Sequence, residues 1–158
     1  MKMLSKKLMI SFSKLPYIIE DYLAQIPAID LTRRRNPDTW TIEEHVFHIA
    51  GVQKMLLDRI KTVKENTDPV IEPYFPDQDK GLLLYQNIGD ALEEYKKYRI
   101  EQIKLIEKCS KNELSKSALH KEYNRYTIPI IVNHMVFHEY WHMYRIEEIW
   151  LTKDEYFK

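Results

Sequence analysis

The sequence predicts an all-α protein, a four-helix bundle. Three observations carry that expectation. Apolar residues recur three and four positions apart through four long stretches. Only 3 of the 158 residues are glycine, while the helix formers Leu, Glu and Lys abound. No stretch shows apolar–polar alternation bounded by hairpin turns, so no strand is expected. The length predicts one domain over residues 1–158, since domains usually run about 100–200 residues.

In the first helix, Leu8, Phe12, Leu15, Ile19, Tyr22 and Ile26 form one apolar seam. Pro16 interrupts it, because an interior proline lacks the N–H that would bond four residues back. The helix therefore either kinks at Pro16 or starts near Ser13, and Pro27 closes it. The second helix begins after Trp40, where Thr41 and Glu44 have the spacing of a capping box. Its seam of Ile42, Val46, Ile49, Gln53, Leu56, Ile60 and Val63 carries one helix to about Asn66. A connection with Pro69, Pro73 and Pro76 follows, long enough to cross the bundle or cover an opening. The third helix spans about Leu82 to Cys109, with Tyr85, Ile88, Leu92, Tyr95, Ile103 and Ile106 inward. The fourth starts near Thr127 and ends near Leu151. Pro129 suits its first turn, where a backbone N–H has no helical partner. Four such amphipathic helices describe a bundle.

Charge and cysteine usage narrow the function. Lys plus Arg and Asp plus Glu are 24 each, so the net charge is zero and a basic footprint for nucleic acid is absent. The run Arg33, Arg34, Arg35 reads as a solvated turn. One cysteine, Cys109, permits no intrachain disulfide and fits a reducing compartment. Lying among Lys108, Ser110 and Lys111 at a helix end, it reads as a packing or surface residue. Lys14 cuts short the N-terminal apolar stretch, which argues against a signal peptide. No apolar run approaches the roughly 18 residues of a membrane span. The expectation is a soluble cytoplasmic protein whose partners are small molecules, not nucleic acid or membrane.

The histidines point to chemistry. Five of the six fall in two helical segments: His45 and His48 in WTIEEHVFHIAG, and His134, His138 and His142 in NHMVFHEYWHMYRIEEI. Residues four apart share one helix face. Imidazole is the commonest protein metal ligand, and a catalytic zinc-type site takes three such ligands and leaves one position open. His138 and His142 can reach one ion from one face. The third ligand must come from a neighbouring helix, His48 by first choice and His45 by second. His134 would stretch the row over two turns, about 12 Å. That suits a hydrogen-bonding or packing role better than a fourth ligand, although it could replace His142. Glu44, one turn before His48, could orient that ring or serve the capping box. Arg145, three residues after His142, could anchor an anionic group of a substrate beside the metal or form a salt bridge at the bundle rim.

His138-Glu139-Tyr140-Trp141-His142 also matches H-E-x-x-H, in which zinc proteases use the glutamate as general base. Those enzymes need a third ligand and a cleft, and only 16 residues follow His142. Glu139 also points about 100° away from His138. It reads as a solvated or ring-orienting carboxylate. A di-iron bundle requires E-x-x-H on two helices, and Glu139-x-x-His142 has no second copy.

Taken together, these motifs resemble the DinB/YfiT-like metalloenzyme family. The branch with W-[ST]-x-x-E-x-x-x-H is matched from Trp40 through Thr41 and Glu44 to His48. The branch pattern G-x-x-T, then a helix ending H-x-x-x-H-x-x-Q-I, is matched by Asn124-Arg125-Tyr126-Thr127 and by His138 through Ile146. Two positions depart from it: Asn124 stands for the glycine and Arg145 for the glutamine. Asparagine also tolerates left-handed backbone, whereas Arg145 changes the charge beside the site. The resemblance implies a four-helix bundle, commonly a homodimer, with His48, His138 and His142 as the metal triad. It implies a divalent ion such as zinc or nickel. In some members it implies a low-molecular-weight thiol used in S-transfer to small electrophiles or in isomerisation. The function expected is a metal-dependent thiol S-transferase. A non-catalytic metal or small-ligand binder in stress response is the alternative, and an H-E-x-x-H hydrolase ranks third. No catalytic residue beyond the metal ligands is assigned.

Overall fold

The computed structural model describes residues 4–74 and 85–156. Its elements are helices α1 (Lys6–Leu23), α2 (Ile42–Gly51), α3 (Gln53–Glu65), α4 (Ile88–Glu107), α5 (Lys111–Ser115) and α6 (Ile128–Leu151). Strands β1 (Val70–Ile71), β2 (Ser117–His120) and β3 (Tyr126–Thr127) complete it. α1, α2 together with α3, α4, and α6 form the four layers of a helical bundle, with α4 packed on α1, α2 and α3. No helix among the described residues is long and apolar enough to cross a membrane.

α1 differs from expectation at its start. Ser5 caps it by accepting the Leu8 N–H at 3.1 Å, and the helix continues through Pro16 instead of starting near Ser13. The proline leaves the Phe12 carbonyl without its usual partner four residues on. The buried Arg99 guanidinium of α4 donates to that carbonyl and stacks 3.7 Å from the Phe12 ring centroid. A tertiary contact thus replaces the missing helical bond, which no local pattern could announce.

The expected second helix is divided at Val52 into α2 and α3. The ladder continues across the division, since Val52 N–H still donates to His48 C=O and Leu56 N–H to Val52 C=O. At the division the Gln53 side-chain amide donates to the Ile49 carbonyl at 2.8 Å, a side-chain bond inserted beside the helical ladder. The capping box forms: Thr41 Oγ1 accepts the Glu44 N–H, and the Glu44 carboxylate accepts the Thr41 N–H at 2.7 Å. Glu44 therefore serves the cap. All seven seam residues from Ile42 to Val63 are buried. α4 begins at Ile88 behind the cap Asn87, later than expected; Pro76 and residues 82–84 lie outside the described residues. α6 starts and ends where the sequence places it.

Among the described residues, three strands appear where none was expected. β1 runs parallel to β2, with Val70 opposite Leu119, and β2 runs antiparallel to β3, with Ala118 opposite Tyr126. Each has two to four residues, too few for alternation to register against the helical background. They seat His120 and Tyr126 beside the site described below.

The arginine run is not a solvated turn. Arg33 bonds the Thr152 carbonyl and Asp154, Arg34 faces Glu44, and Arg35 pairs with Glu148, so the segment before α2 is tied to the end of α6. Cys109 is half-buried, with its thiol donating to the Leu105 carbonyl, and burial pushes that thiol up.

The apolar core has two parts. Phe12, Leu15, Leu56, Ile60, Ile131 and Met135 belong to one; Ile19, Val46, Ile49, Tyr95, Ile146 and Ile149 belong to the other. Arg99 touches rings of both, Phe12 and Tyr95. Around it, Gln53, Gln102 and Glu139 form a fully buried polar cluster.

Candidate metal centre

Regular helix geometry builds the site. The capping box fixes the first turn of α2, and His45 and His48 follow on consecutive turns. On α6, His138 and His142 stand one turn apart on the face turned toward α2. The Nε2 atoms of His48 and His138 are 3.1 Å apart, as are those of His142 and His138. One ligand atom from each of the three rings lies within 4.8 Å of the other two. His48 and His142 are 3% and 1% exposed, and His138 is half-buried. Trp40 stacks on His142, 9° from parallel, and lies 4.8 Å from the His48 ring.

This arrangement fits a divalent cation. Nitrogens bound tetrahedrally to zinc at about 2.0–2.1 Å stand about 3.3 Å apart, close to the 3.1 Å that separates His138 Nε2 from each of the other two. For His142 the protonation state also suits a ligand. Burial, and then the neighbouring imidazoles His138, His48 and His45, hold His142 far below the ordinary histidine range. The ring is therefore neutral near pH 7 and keeps a lone pair for a metal.

The other sequence candidates take different places. His45 is not in the converging set; its Nδ1 lies 2.8 Å from Nδ1 of His142. Burial, followed by the Arg145 and His48 charges, lowers its pKa to about 4. His134 is exposed and stacks on His138 at 5.8 Å, 12° from parallel. Glu139, expected to be solvated or ring-orienting, is fully buried and paired with Arg99, and it accepts from Gln53 Nε2 at 3.3 Å. Its helical neighbour position turns it into the core, away from the imidazoles. Arg145 is half-buried and paired with Glu148 at the rim.

Among the described residues, two cavities touch both His48 and His138. The larger, about 390 Å³, is walled by Trp40, Trp141, His45, His142 and Arg145. The smaller, about 210 Å³, is walled by Met55, Arg59, His120, Tyr123, Tyr126 and His134. In the smaller one, His120 Nδ1 accepts the Glu122 N–H. Arg59 donates to the Tyr126 hydroxyl at 2.9 Å.

Sequence reasoning missed three things here. Trp40 belongs to a sequence motif, but its stacking on the imidazoles is visible only in the structure. The sequence reading missed the His120–Tyr126 wall, which depends on strands too short to read. It also missed Arg99, for which a signal existed: Arg99 occupies a seam position of α4, four residues after Tyr95 and seven before Ile106. A charge there demands a buried partner.

Fold and site together define a helical bundle with three imidazoles gathered between α2 and α6 beneath two cavities. The chain belongs to the DinB superfamily, whose family model matches residues 12–146. A solved structure with a similar fold is YfiT from Bacillus subtilis, described as a probable metal-dependent hydrolase with an unusual four-helix bundle topology. The two share 16% identity over 94% of this chain and 89% of that one, with a TM-score of 0.80. No curated protein sequence matches the chain.

Proposed function

We propose that this protein is a metal-dependent enzyme in which His48, His138 and His142 hold one divalent ion, zinc or nickel, and that it transfers a low-molecular-weight thiol to a small electrophile. When bound, such an ion supplies Lewis acidity that lowers the pKa of a coordinated thiol or water. Three neutral imidazoles leave the full double positive charge in place, which favours an anionic fourth ligand. Trp40 and Trp141 supply apolar walls, and Arg145, which lines the same cavity, would exchange its Glu148 partner for a carboxylate of the substrate. In the transfer an S–C bond forms as the bond to the leaving group breaks, and the thiol proton passes to solvent.

The observation that favours a thiol over water is the state of Glu139. In the H-E-x-x-H reading it is the base that takes the proton of water, yet here it is fully buried and paired with Arg99. Among the described residues, Asp38 and Glu122 are the carboxylates that line the two cavities, and both are exposed. A metal-bound thiol needs no such base. Hydrolysis is the second reading, favoured by the description of YfiT.

The test is turnover of metal-loaded protein with a panel of thiols and an electrophilic acceptor, beside ester and amide substrates. Thiol-dependent product, with a KM for anionic substrates raised about tenfold or more in Arg145→Gln, is the expected result; the factor corresponds to about 1.4 kcal/mol, within the range of one charged hydrogen bond. Hydrolysis without thiol selects the second reading. Metal binding without turnover selects a non-catalytic binding protein.

A second copy of the chain is the proposed macromolecular partner. Phe137, Trp141 and Tyr144 lie on one side of α6 and are each more than half exposed. An aromatic face of this kind marks an interface. Sedimentation equilibrium should give twice the monomer mass, and Phe137→Glu with Tyr144→Glu should return it to the monomer. A monomeric wild type would remove this part of the proposal.

A further inference from the structure

We infer that His45 is a positioning residue: its Nδ1 accepts the Nδ1–H of His142 and thereby holds the His142 ring with a bare Nε2 toward the other two imidazoles. The inference rests on the metal reading above and adds a residue to it.

The argument is one of hydrogen counting. The two Nδ1 atoms are 2.8 Å apart, and the rings are 5% and 1% exposed. At that separation one nitrogen donates and the other accepts. A neutral imidazole has one N–H. If His45 donated, the His142 hydrogen would sit on Nε2, facing Nε2 of His138 at 3.1 Å. That tautomer offers an ion no lone pair. If His142 donates, its Nε2 is free to ligate and His45 carries its own hydrogen on Nε2. Ligation by His142 therefore requires His45 to act as acceptor. Edge contacts from Trp40 at 5.3 Å and Trp141 at 6.2 Å hold the His45 ring in place.

A carboxylate or a carbonyl usually fills this role and fixes both tautomer and orientation. A neutral imidazole does the same without adding negative charge. The site then keeps the charge that favours an anionic ligand. The capping box matters here as well, because it sets the first turn of α2 from which His45 projects.

Cobalt(II) is a suitable probe, with affinity measured by competition against a chromophoric chelator and coordination read from the visible spectrum. His45→Phe keeps ring volume but removes the acceptor. His45→Gln carries its amide beyond the Nδ1 position, and His45→Asn places an amide oxygen close to it. Phe and Gln should weaken cobalt binding about 10–100-fold, the usual loss for such partners. Asn should recover most of it. Equal affinity in all four proteins, or Asn as weak as Phe, overturns the inference while leaving the metal reading intact. A wild type that takes up no cobalt overturns both. Should the variants fold poorly, nitrogen NMR of the zinc-loaded wild type gives the answer directly. His142 is expected to be protonated at Nδ1 and His45 at Nε2; a hydrogen on His45 Nδ1 overturns the assignment.

Discussion

Alanine at His48, His138 or His142 is expected to abolish stoichiometric metal uptake, whereas the wild type holds one ion per chain. Loss of a residue that merely orients a ligand costs about 10–100-fold in affinity, so loss of a ligand should exceed about 100-fold. The reason is geometric. Three ring nitrogens drawn from two helices lie within 4.8 Å of one another, and His138 Nε2 stands from the other two near the spacing a tetrahedral ion imposes. Two of them cannot enclose a cation in the same way. Elemental analysis of the four purified proteins reads the effect. Thermal melts give a second reading, because an ion that binds only the folded state adds about 4 kcal/mol at a thousand times its Kd. The wild type should melt higher with zinc or nickel, and each variant should not. Equal metal content in all four proteins would remove the triad.

The sequence makes this centre legible because its information is periodic. A four-residue spacing fixes His138 and His142 on one face whatever packs around them. The T-x-x-E box fixes where α2 begins, hence which turn carries His48. The choice between His48 and His45 is harder, since both are buried in the same two turns. They lie about 60° apart around the axis, and only the position of α6 decides which ring meets His138 and which meets the far side of His142. That is tertiary information. The same limit explains α1. Pro16 argues for a break on local grounds, and the break is prevented by Arg99, 87 residues away from Phe12 in the chain. The strands are illegible for another reason: two-residue pairings leave no pattern, and β1 meets β2 only across 49 residues of chain, although β3 follows β2 closely.

Arg99→Met is expected to destabilise the fold by about 3–5 kcal/mol, because removing one member of a buried ion pair strands the other. Here it strands Glu139, and it also uncovers the Phe12 carbonyl and leaves Gln102 Oε1 without its Arg99 donor. Glu139→Leu should cost a similar amount by stranding Arg99. The double variant Arg99→Met/Glu139→Leu should be far less damaged than the sum of the two, since a buried pair can often be replaced by apolar residues at little cost. It should still fall short of the wild type by about 1–3 kcal/mol for the Phe12 carbonyl. Adding Pro16→Ala restores a backbone N–H four residues on from that carbonyl and should recover much of the remainder. Urea denaturation of the set measures each step, and strict additivity of the two single losses would show that Arg99 and Glu139 do not act as a unit. The double variant also decides the chemistry. It lacks the glutamate of H-E-x-x-H yet keeps all three imidazoles and their helices. Thiol transfer should survive in it, whereas a hydrolase that depends on Glu139 as base should lose activity while still holding its metal.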